Sequence, residues 1–214
     1  MRAQSSTSHR CADRCCYHSG VNKPTDSAFA GTLVTIFLDR DGVVNEKMPE
    51  GSYVTRWEEF RLLPGVPQAI ALLNRARIRV IVVSNQRGVA KGLYSSESVE
   101  AIHARLQDAL KADGAHIDGF YFCPHNKGEC DCRKPLPGMF HQAQHDFPGI
   151  DAATSLMIGD SLSDVEFGRR LGMRTIFIDG DPTRQKSGAN QAGQLADWRF
   201  PSLLDAVDWL LPER

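Results

Sequence analysis

The sequence has no long uninterrupted apolar run, and neither sign of charge is in clear excess. No stretch approaches the roughly 18 apolar residues that a membrane-spanning helix needs, so we expect no membrane partner. The 25 basic and 26 acidic side chains leave a net charge of −1 over 214 residues. This balance gives no electrostatic reason to expect nucleic acid as a partner.

The N-terminal residues carry no strand or helix pattern. The opening MRAQSSTSHRCADRCCYHSG is rich in arginine and serine but has no hydrophobic core, so it is not a secretory signal. A transit peptide is an alternative that Asp13 and the short length disfavour. We interpret residues 1–31 as a disordered leader and residues 32–214 as one globular domain. We expect the protein to be cytoplasmic.

The six cysteines fall into two groups of three, one in the leader and one in mid-chain. Without a secretion signal, clustered cysteines favour metal binding in a reducing compartment over a disulfide framework. The leader group could in principle hold zinc together with two histidines. Its members are His9, Cys11, Cys15, Cys16 and His18. No strand or helix pattern surrounds them, and we interpret them as incidental thiols.

Strand-like and helical patterns alternate from residue 32 onward. Near-continuous apolar runs predict strands over residues 33–38, 79–84, 119–123, 155–159 and 175–179. Helices are predicted over residues 66–75, 96–112, 137–147, 164–171 and 202–211. Strands that are apolar on both faces are typical of a parallel sheet. The alternation therefore predicts an α/β fold, a Rossmann-like parallel sheet with helices on both faces.

Polar side chains follow four of the predicted strands. They are Asp39 and Asp41, then Ser84, Asn85 and Gln86, then Arg133 and Lys134, and finally Asp160 and Asp164. Ligands of such sheets bind at the carboxyl ends of the strands, so we expect these side chains to form one site. Crowded carboxylates repel each other unless a hard cation such as Mg²⁺ lies among them. Hydroxyl, amide and lysine groups suit the oxygens of a transferring phosphoryl group.

Each of these motifs has another interpretation when it is taken alone. A D-x-D-G sequence also occurs in calcium loops, but an EF-hand needs its glycine at the sixth position. Here Gly42 is the fourth residue of the motif, and we reject a calcium loop. Asp160 alone could cap a helix, Lys134 alone could be a solvated surface charge, and S-N-Q could be an ordinary turn. The ordered combination, with each motif after its own strand, favours a functional site.

The motifs D-x-D-G, S-N-Q, R-K-P and G-D-x-x-x-D, in this order, resemble those of the haloacid dehalogenase superfamily of phosphatases. The segment CPHNKGECDCRKP is similar to that of a subgroup, the D-glycero-D-manno-heptose 1,7-bisphosphate 7-phosphatases and their histidinol-phosphatase relatives. The resemblance covers residues 32–211. It implies a Mg²⁺-dependent phosphatase that acts on the 7-phosphate of a small phosphorylated sugar, with histidinol phosphate as the alternative substrate.

The resemblance also implies a role for each motif residue. Asp39 would attack phosphorus and form an aspartyl-phosphate, and Asp41 would act as the general acid and base. Mg²⁺ would be held by Asp39, the backbone carbonyl of Asp41 and Asp160. Ser84 and Lys134 would bind the phosphoryl oxygens. Further substrate contacts are expected from Asn85, Gln86, Arg87 and Arg133.

Arg133, next to the lysine of the R-K-P motif, is the best candidate for recognising a second anionic group on the substrate. Asp164 could orient Lys134 or a metal-bound water, or it could cap a helix. For Asp164 these alternatives stay open at this point.

Three cysteines and a histidine lie within ten residues in mid-chain. They are Cys123, His125, Cys130 and Cys132. Three thiolates and an imidazole are the ligand set of a closed tetrahedral zinc site, and Gly128 is available for the turn between them. The alternative is three reduced cysteines and a surface histidine. Because four protein ligands leave no open position, we expect structural zinc that fixes the loop carrying Arg133 and Lys134.

The chain leaves no room for a large cap domain. Only 42 residues separate Asp41 from Ser84, and they include a helix. Substrate choice is therefore expected to rest on short loops, namely residues 45–53, residues 86–91 and the zinc loop. Arg87, Lys91 and Arg133 favour an anionic substrate over cationic histidinol phosphate. A polynucleotide 3′-phosphatase and a non-catalytic zinc-stabilised binding domain are weaker alternatives. We expect a monomer.

Overall fold

One parallel sheet of six strands organises the chain in the computed structural model, which describes residues 33–185 and 187–211. The strands are β1 Thr35–Leu38, β2 Arg79–Asn85, β3 Gly119–Cys123, β4 Ser155–Gly159, β5 Arg174–Ile178 and β6 Trp198–Phe200. Their order is β3-β2-β1-β4-β5-β6. The first strand is thus central, with Leu38 opposite Val82 of β2 and Ile158 of β4. The predicted leader, residues 1–31, lies outside the described residues.

Six helices within the described residues cover the sheet. They are α1 Val66–Arg75, α2 Ser96–Lys111, α3 Gly138–Asp146, α4 Leu162–Leu171, α5 Ala189–Leu195 and α6 Leu203–Leu210. Successive side chains of a strand point to opposite faces, and β1 shows this clearly. Ile36 and Leu38 pack in the core with α1, α2 and α6, whereas Phe37 packs with α3 and α4 on the other face. The predicted α/β architecture with helices on both faces is confirmed.

Strand β6 and helix α5 were not predicted from the sequence, and helix α4 begins earlier than predicted. Strand β6 has three residues and helix α5 has seven, and elements this short carry little periodicity. Helix α4 begins at Leu162, two residues before the predicted start, because Ser161 is its N-cap. The alternative in which Asp160 caps this helix is therefore wrong. The segment between β1 and β2 contributes a loop, a short 3-10 turn and α1, which confirms that no large cap domain is inserted there.

In residues 33–185 and 187–211, every helix is too short or too polar to cross a membrane.

Candidate active site

The central position of β1 brings three strand ends together at one edge of the sheet. A cavity of about 460 Å³ opens there. Nearly all of the predicted site residues line it: Asp39, Asp41, Ser84, Asn85, Gln86, Arg87, Arg133, Lys134 and Asp164. Asp160 lies immediately behind, on the wall of a neighbouring smaller cavity. The strand ends therefore assemble side chains that are far apart in the sequence.

A tight turn carries the chain from β1 past Asp160. The backbone N–H of Asp39 still bonds to the carbonyl of Ile158 at 2.9 Å, which extends the β1–β4 pairing to the site. Gly42 then adopts a φ of 104°, in the left-handed region that glycine tolerates. A Cβ atom there would lie 2.1 Å from Oδ2 of Asp160. A glycine at this position is what lets the β1 turn approach the Asp160 carboxylate.

Lys134 is the buried cation of the cavity. Its side chain is 1% exposed, and Nζ lies 2.8 Å from Oδ1 of Asp39 and 2.6 Å from Oδ1 of Asp164. Nζ also donates to the carbonyl of Val83 at 2.6 Å. Burial alone would lower the pKa of Lys134, but the two carboxylates outweigh it and raise this pKa. The ammonium group therefore stays charged beside Asp39.

Asp164 fulfils two of the roles left open above, through different oxygens. Its Oδ2 accepts the backbone N–H of Ser161 at 3.0 Å, completing a capping box at the start of α4. Its Oδ1 faces Nζ of Lys134. One buried carboxylate thus ties the first turn of α4 to the lysine of the R-K-P motif.

The carboxylates of the site are crowded in a way that suits a divalent cation. Oxygens of Asp39, Asp160 and Asp164 all lie within 4.8 Å of one another. Burial, followed by the charge of Asp39, raises the pKa of Asp160 to about 7 against the opposing effect of Lys47. Burial and the Asp164 charge likewise raise the pKa of Asp39, against the opposing effect of Lys134. Oδ1 of Asp160 is buried and has no hydrogen-bond partner among the described residues. An oxygen set of this kind fits Mg²⁺.

Asp41 does not join that cluster; its carboxylate turns toward Arg40. Nη2 of Arg40 lies 3.0 Å from both carboxylate oxygens. Amide groups of Asn45 and Gln86 donate to the same carboxylate, each at 3.0 Å. Burial would raise the pKa of Asp41, but the Arg40 charge and these hydrogen bonds together hold it below its usual value. Asp41 is therefore ionised at neutral pH in this arrangement.

Arg40 and Asn45 were not identified from the sequence. Arg40 is completely buried, which for a guanidinium group requires an anionic partner. The sequence did contain a signal for Arg40, because an arginine between two acids directly after a buried strand indicates a buried ion pair. Asn45 had no comparable signal, because its role depends on the turn that brings it back to Asp41.

The S-N-Q motif supports the site through hydrogen bonds. Nε2 of Gln86 donates to Oγ of Ser84 at 2.7 Å, and the hydroxyl of Tyr94 donates to Oε1 of Gln86 at 2.7 Å. The carboxamide of Asn85 forms two bonds to the backbone of Lys134, at 3.0 and 3.1 Å. Asn85 thus positions Lys134 directly, a role that the sequence analysis did not assign to it, and Tyr94 was missed.

Basic side chains surround the mouth of the cavity. Arg87 donates to Oδ1 of Asn126 at 3.1 Å, and Arg133 lies on the same β3–α3 loop as Asn126. Lys91 lies 5.4 Å from the ring centre of Tyr53. Residues 47–54 form the remaining wall. The mouth therefore presents positive charge to a ligand.

The Cys/His segment brings its four candidate ligands together. The Cys123–Cys130 and Cys130–Cys132 sulfur distances are 3.5 and 3.2 Å, and Nδ1 of His125 lies 3.3 Å from the Cys132 sulfur and 3.8 Å from that of Cys123. A tetrahedron with Zn–S bonds near 2.3 Å has edges of about 3.8 Å, so the cluster is close to that size. Burial raises the pKa of the Cys123 and Cys132 thiols, which a bound cation would reverse. The cluster is compatible with zinc.

Comparisons with known proteins agree with the motifs. The HAD-hydrolase-like family model matches residues 131–206. The D-glycero-alpha-D-manno-heptose-1,7-bisphosphate 7-phosphatase of Mycobacterium bovis is 39% identical over 175 residues, covering 81% of this chain and 90% of that protein. The D-glycero-beta-D-manno-heptose-1,7-bisphosphate 7-phosphatase of Yersinia pestis is 34% identical over 184 residues, covering 81% of this chain and 93% of that protein.

A solved structure leads to the same family. The D,D-heptose 1,7-bisphosphate phosphatase of B. bronchiseptica, complexed with magnesium and phosphate, superposes with a TM-score of 0.75. It is 33% identical, and the match covers 85% of this chain and 99% of that chain. The chain therefore belongs to the haloacid dehalogenase superfamily, in the family of the D-glycero-D-manno-heptose-1,7-bisphosphate 7-phosphatases.

Proposed function

We propose that the protein removes the 7-phosphate of D-glycero-D-manno-heptose 1,7-bisphosphate, with Asp39 as the nucleophile. The observation that carries this proposal is the position of Asp39, which is buried at the base of a cavity with a basic mouth and paired with Lys134 at 2.8 Å. A carboxylate in this position can reach a phosphoryl group whose oxygens are neutralised by the lysine. The relatives named above act on this class of substrate.

The first step forms a bond from an Asp39 oxygen to phosphorus and breaks the bond from phosphorus to the sugar oxygen. Lys134 and the hydroxyl of Ser84 hold the phosphoryl oxygens. Asp39, Asp160 and the backbone carbonyl of Asp41 would hold Mg²⁺. When bound, this ion supplies positive charge that offsets the carboxylates and the phosphoryl group. The leaving sugar oxygen takes its proton from Asp41.

The second step hydrolyses the aspartyl-phosphate. Asp41 accepts a proton from water as the water oxygen attacks phosphorus, and inorganic phosphate leaves with the Asp39 carboxylate restored. The hydrogen bonds from Arg40, Asn45 and Gln86 favour the ionised Asp41 that this step needs. A phosphate dianion beside Asp41 raises its pKa and favours the protonated form that the first step uses.

The basic mouth supports a substrate with a second anionic group. Arg87, Lys91 and Arg133 would meet the 1-phosphate while the 7-phosphate lies at Asp39. Histidinol phosphate carries a cationic amine and has no second phosphate, so it would gain nothing from these three cations. The Cys/His cluster would bind structural zinc and hold the loop that carries Arg133 and Lys134.

Phosphate release across a panel of substrates tests the proposal. The panel contains both anomers of D-glycero-D-manno-heptose 1,7-bisphosphate, histidinol phosphate and 3′-phosphorylated DNA. We expect the highest kcat/KM with one heptose bisphosphate anomer and, by ³¹P NMR, a product that retains only the anomeric phosphate. The Asp39→Asn variant, which keeps the shape but is not nucleophilic, should be inactive. A higher kcat/KM with histidinol phosphate or DNA would contradict the proposed substrate.

A further inference from the structure

Lys47 places a second ammonium group among the site carboxylates. Its side chain is 8% exposed, and Nζ forms an ion pair with Oδ2 of Asp160, a residue 113 positions later in the chain. Its backbone is held in place as well, since Nη1 of Arg184 donates to the Lys47 carbonyl at 2.6 Å. Lys47 lies in the polar stretch EKMPEGSYV, where a lysine would ordinarily be solvated. Its burial against Asp160 requires an explanation.

The lysine stands between two cavities. It lines the cavity of about 460 Å³ at Asp39 and also a second one of about 170 Å³. Asp160 lines the second cavity, together with Asp179 and Asp181. The Lys47–Asp160 ion pair is therefore part of the wall that divides the substrate cavity from its neighbour.

The two lysines of the site divide its negative charge. Lys134 pairs with Asp39 and Asp164, and Lys47 pairs with Asp160, so two ammonium groups face three carboxylates. One oxygen from each of these three carboxylates lies within 4.8 Å of the other two. A divalent cation bound to Asp39 and Asp160 would share the Asp160 carboxylate with the Lys47 ammonium group, which contacts Oδ2 of Asp160. Two cations on one buried carboxylate repel each other, so each weakens the binding of the other.

We propose that Lys47 competes with the divalent cation for Asp160: its ammonium group pairs with this carboxylate, and cation binding displaces it into the substrate cavity. The inference rests on the proposed role of Asp39 and Asp160 in holding Mg²⁺. Release would move the segment of residues 47–54, which forms one wall of that cavity. Cation binding and the shape of the substrate site are then coupled through one side chain.

Calorimetric titration with Mg²⁺ alone tests the competition without any turnover. Lys47→Met keeps the apolar stem and removes the charge, and we expect it to bind Mg²⁺ at least tenfold more tightly than the wild type. Lys91→Met is the matched control, because Lys91 lines the same cavity but lies over the Tyr53 ring, and its Mg²⁺ affinity should not change. Lys47→Gln is a second neutral variant, in which the amide can still bond to Asp160, and it should also bind more tightly.

Two further measurements test whether Mg²⁺ displaces Lys47 from Asp160. In the wild type, amide hydrogen exchange over residues 47–54 should rise when Mg²⁺ is added, and in Lys47→Met it should already be high without Mg²⁺. The rise in Tm on adding Mg²⁺ should be larger for Lys47→Met than for the wild type, since Asp160 has lost its counter-ion in the cation-free variant.

The possible results separate the inference from the proposed function. Equal or weaker Mg²⁺ binding by both Lys47 variants, with saturable binding by the wild type, would overturn the competition and leave the proposed phosphatase site intact. Hydrogen exchange over residues 47–54 that does not change when Mg²⁺ is added would also overturn the competition and leave the proposed phosphatase site intact. No saturable Mg²⁺ binding by any of these proteins would contradict the metal site and the inference together. Asp160→Asn serves as the reference for a lost site.

Discussion

Arg40 and Asp41 form an ion pair between adjacent residues that lies at the border of the core and the cavity. The guanidinium group is fully buried, whereas the Asp41 side chain is 27% exposed. Nη1 of Arg40 has no hydrogen-bond partner among the described residues, so the Asp41 carboxylate is the principal group that compensates its charge. The arrangement stabilises the fold and at the same time sets the charge of the proposed acid–base residue.

Arg40→Met should destabilise the protein at pH 7 by about 2–4 kcal/mol, because it leaves the Asp41 carboxylate without its cation. Burial opposes ionisation of Asp41, but Arg40 and the amide donors hold its folded-state pKa below the unfolded value. This contribution to stability is present above a pH of about 4 and is lost as the pH falls through the folded-state pKa. Urea unfolding at pH 7 and pH 3 should therefore show a smaller difference in stability between the wild type and Arg40→Met at pH 3. In an Asp41→Asn background the Arg40→Met change should have a different, pH-independent effect; equal losses at both pH values would contradict the account.

Asp41→Asn separates the two proposed steps. An aryl phosphate has a good leaving group that needs no proton, so Asp39 should still be phosphorylated. Hydrolysis of the aspartyl-phosphate should be slowed by about 10²–10⁴, the usual contribution of a general base. Mass spectrometry after rapid acid quench should find a phosphorylated chain. Asp39→Asn is the control that cannot be phosphorylated, and an Asp41→Asn enzyme without trapped phosphoenzyme would assign the proton transfers to another group.

Between elements, the loop from β3 to α3 decides where Lys134 lies. The Cys/His cluster is at its start, and the two hydrogen bonds from Asn85 hold the Lys134 backbone at its end. The loop has little apolar burial apart from the cysteines, so local cross-linking is what can make it rigid. Its proposed zinc is therefore expected to affect the chemistry through position alone.

Purified protein should contain about one zinc per chain if the cluster is a closed site. EDTA under mild conditions should remove Mg²⁺ quickly and zinc slowly, and Mg²⁺ alone should restore activity. Cys132→Ser should lower the zinc content by elemental analysis and reduce kcat by about tenfold or more, by displacing Arg133 and Lys134. Asp131→Asn is the control at a neighbouring position, and its zinc content and kcat should be unchanged. A Cys132→Ser enzyme with unchanged kinetics and stability would show that the cluster has no structural role.

At the scale of the whole molecule, every described strand and every site residue lies after residue 32. Deletion of residues 1–28 should therefore leave kcat/KM unchanged and shift Tm by less than about 2 °C, which corresponds to roughly half a kcal/mol. Activity assays and calorimetry on the shortened chain measure both. A loss in either would assign the leader cysteines a structural role, and Cys11→Ser, Cys15→Ser and Cys16→Ser variants would then identify which one is needed.

The order of elements could be read from the sequence because hydrophobic runs and polar strand ends follow simple rules. Asp39, Ser84, Lys134 and Asp160 were predicted to meet because each follows its own strand of a parallel sheet. Lys47 and Tyr94 could not be found in this way. Lys47 lies in a polar loop, and its partner is 113 residues away. The partner of Tyr94 is the side-chain amide of Gln86. Neither contact leaves a periodic pattern in the sequence.

The strand order also has a consequence for synthesis on the ribosome. The strand made first, β1, is central, and its second neighbour β4 begins only at Ser155. Until that segment emerges, the nascent chain exposes an unpaired apolar edge, the kind that sticks to other chains. The contacts Lys134–Asp39 and Lys47–Asp160 span 95 and 113 residues, so closing them is a late and slow event. A nascent chain that stops before β4 therefore carries Asp39, the proposed nucleophile, but has neither the completed sheet nor the carboxylates of Asp160 and Asp164.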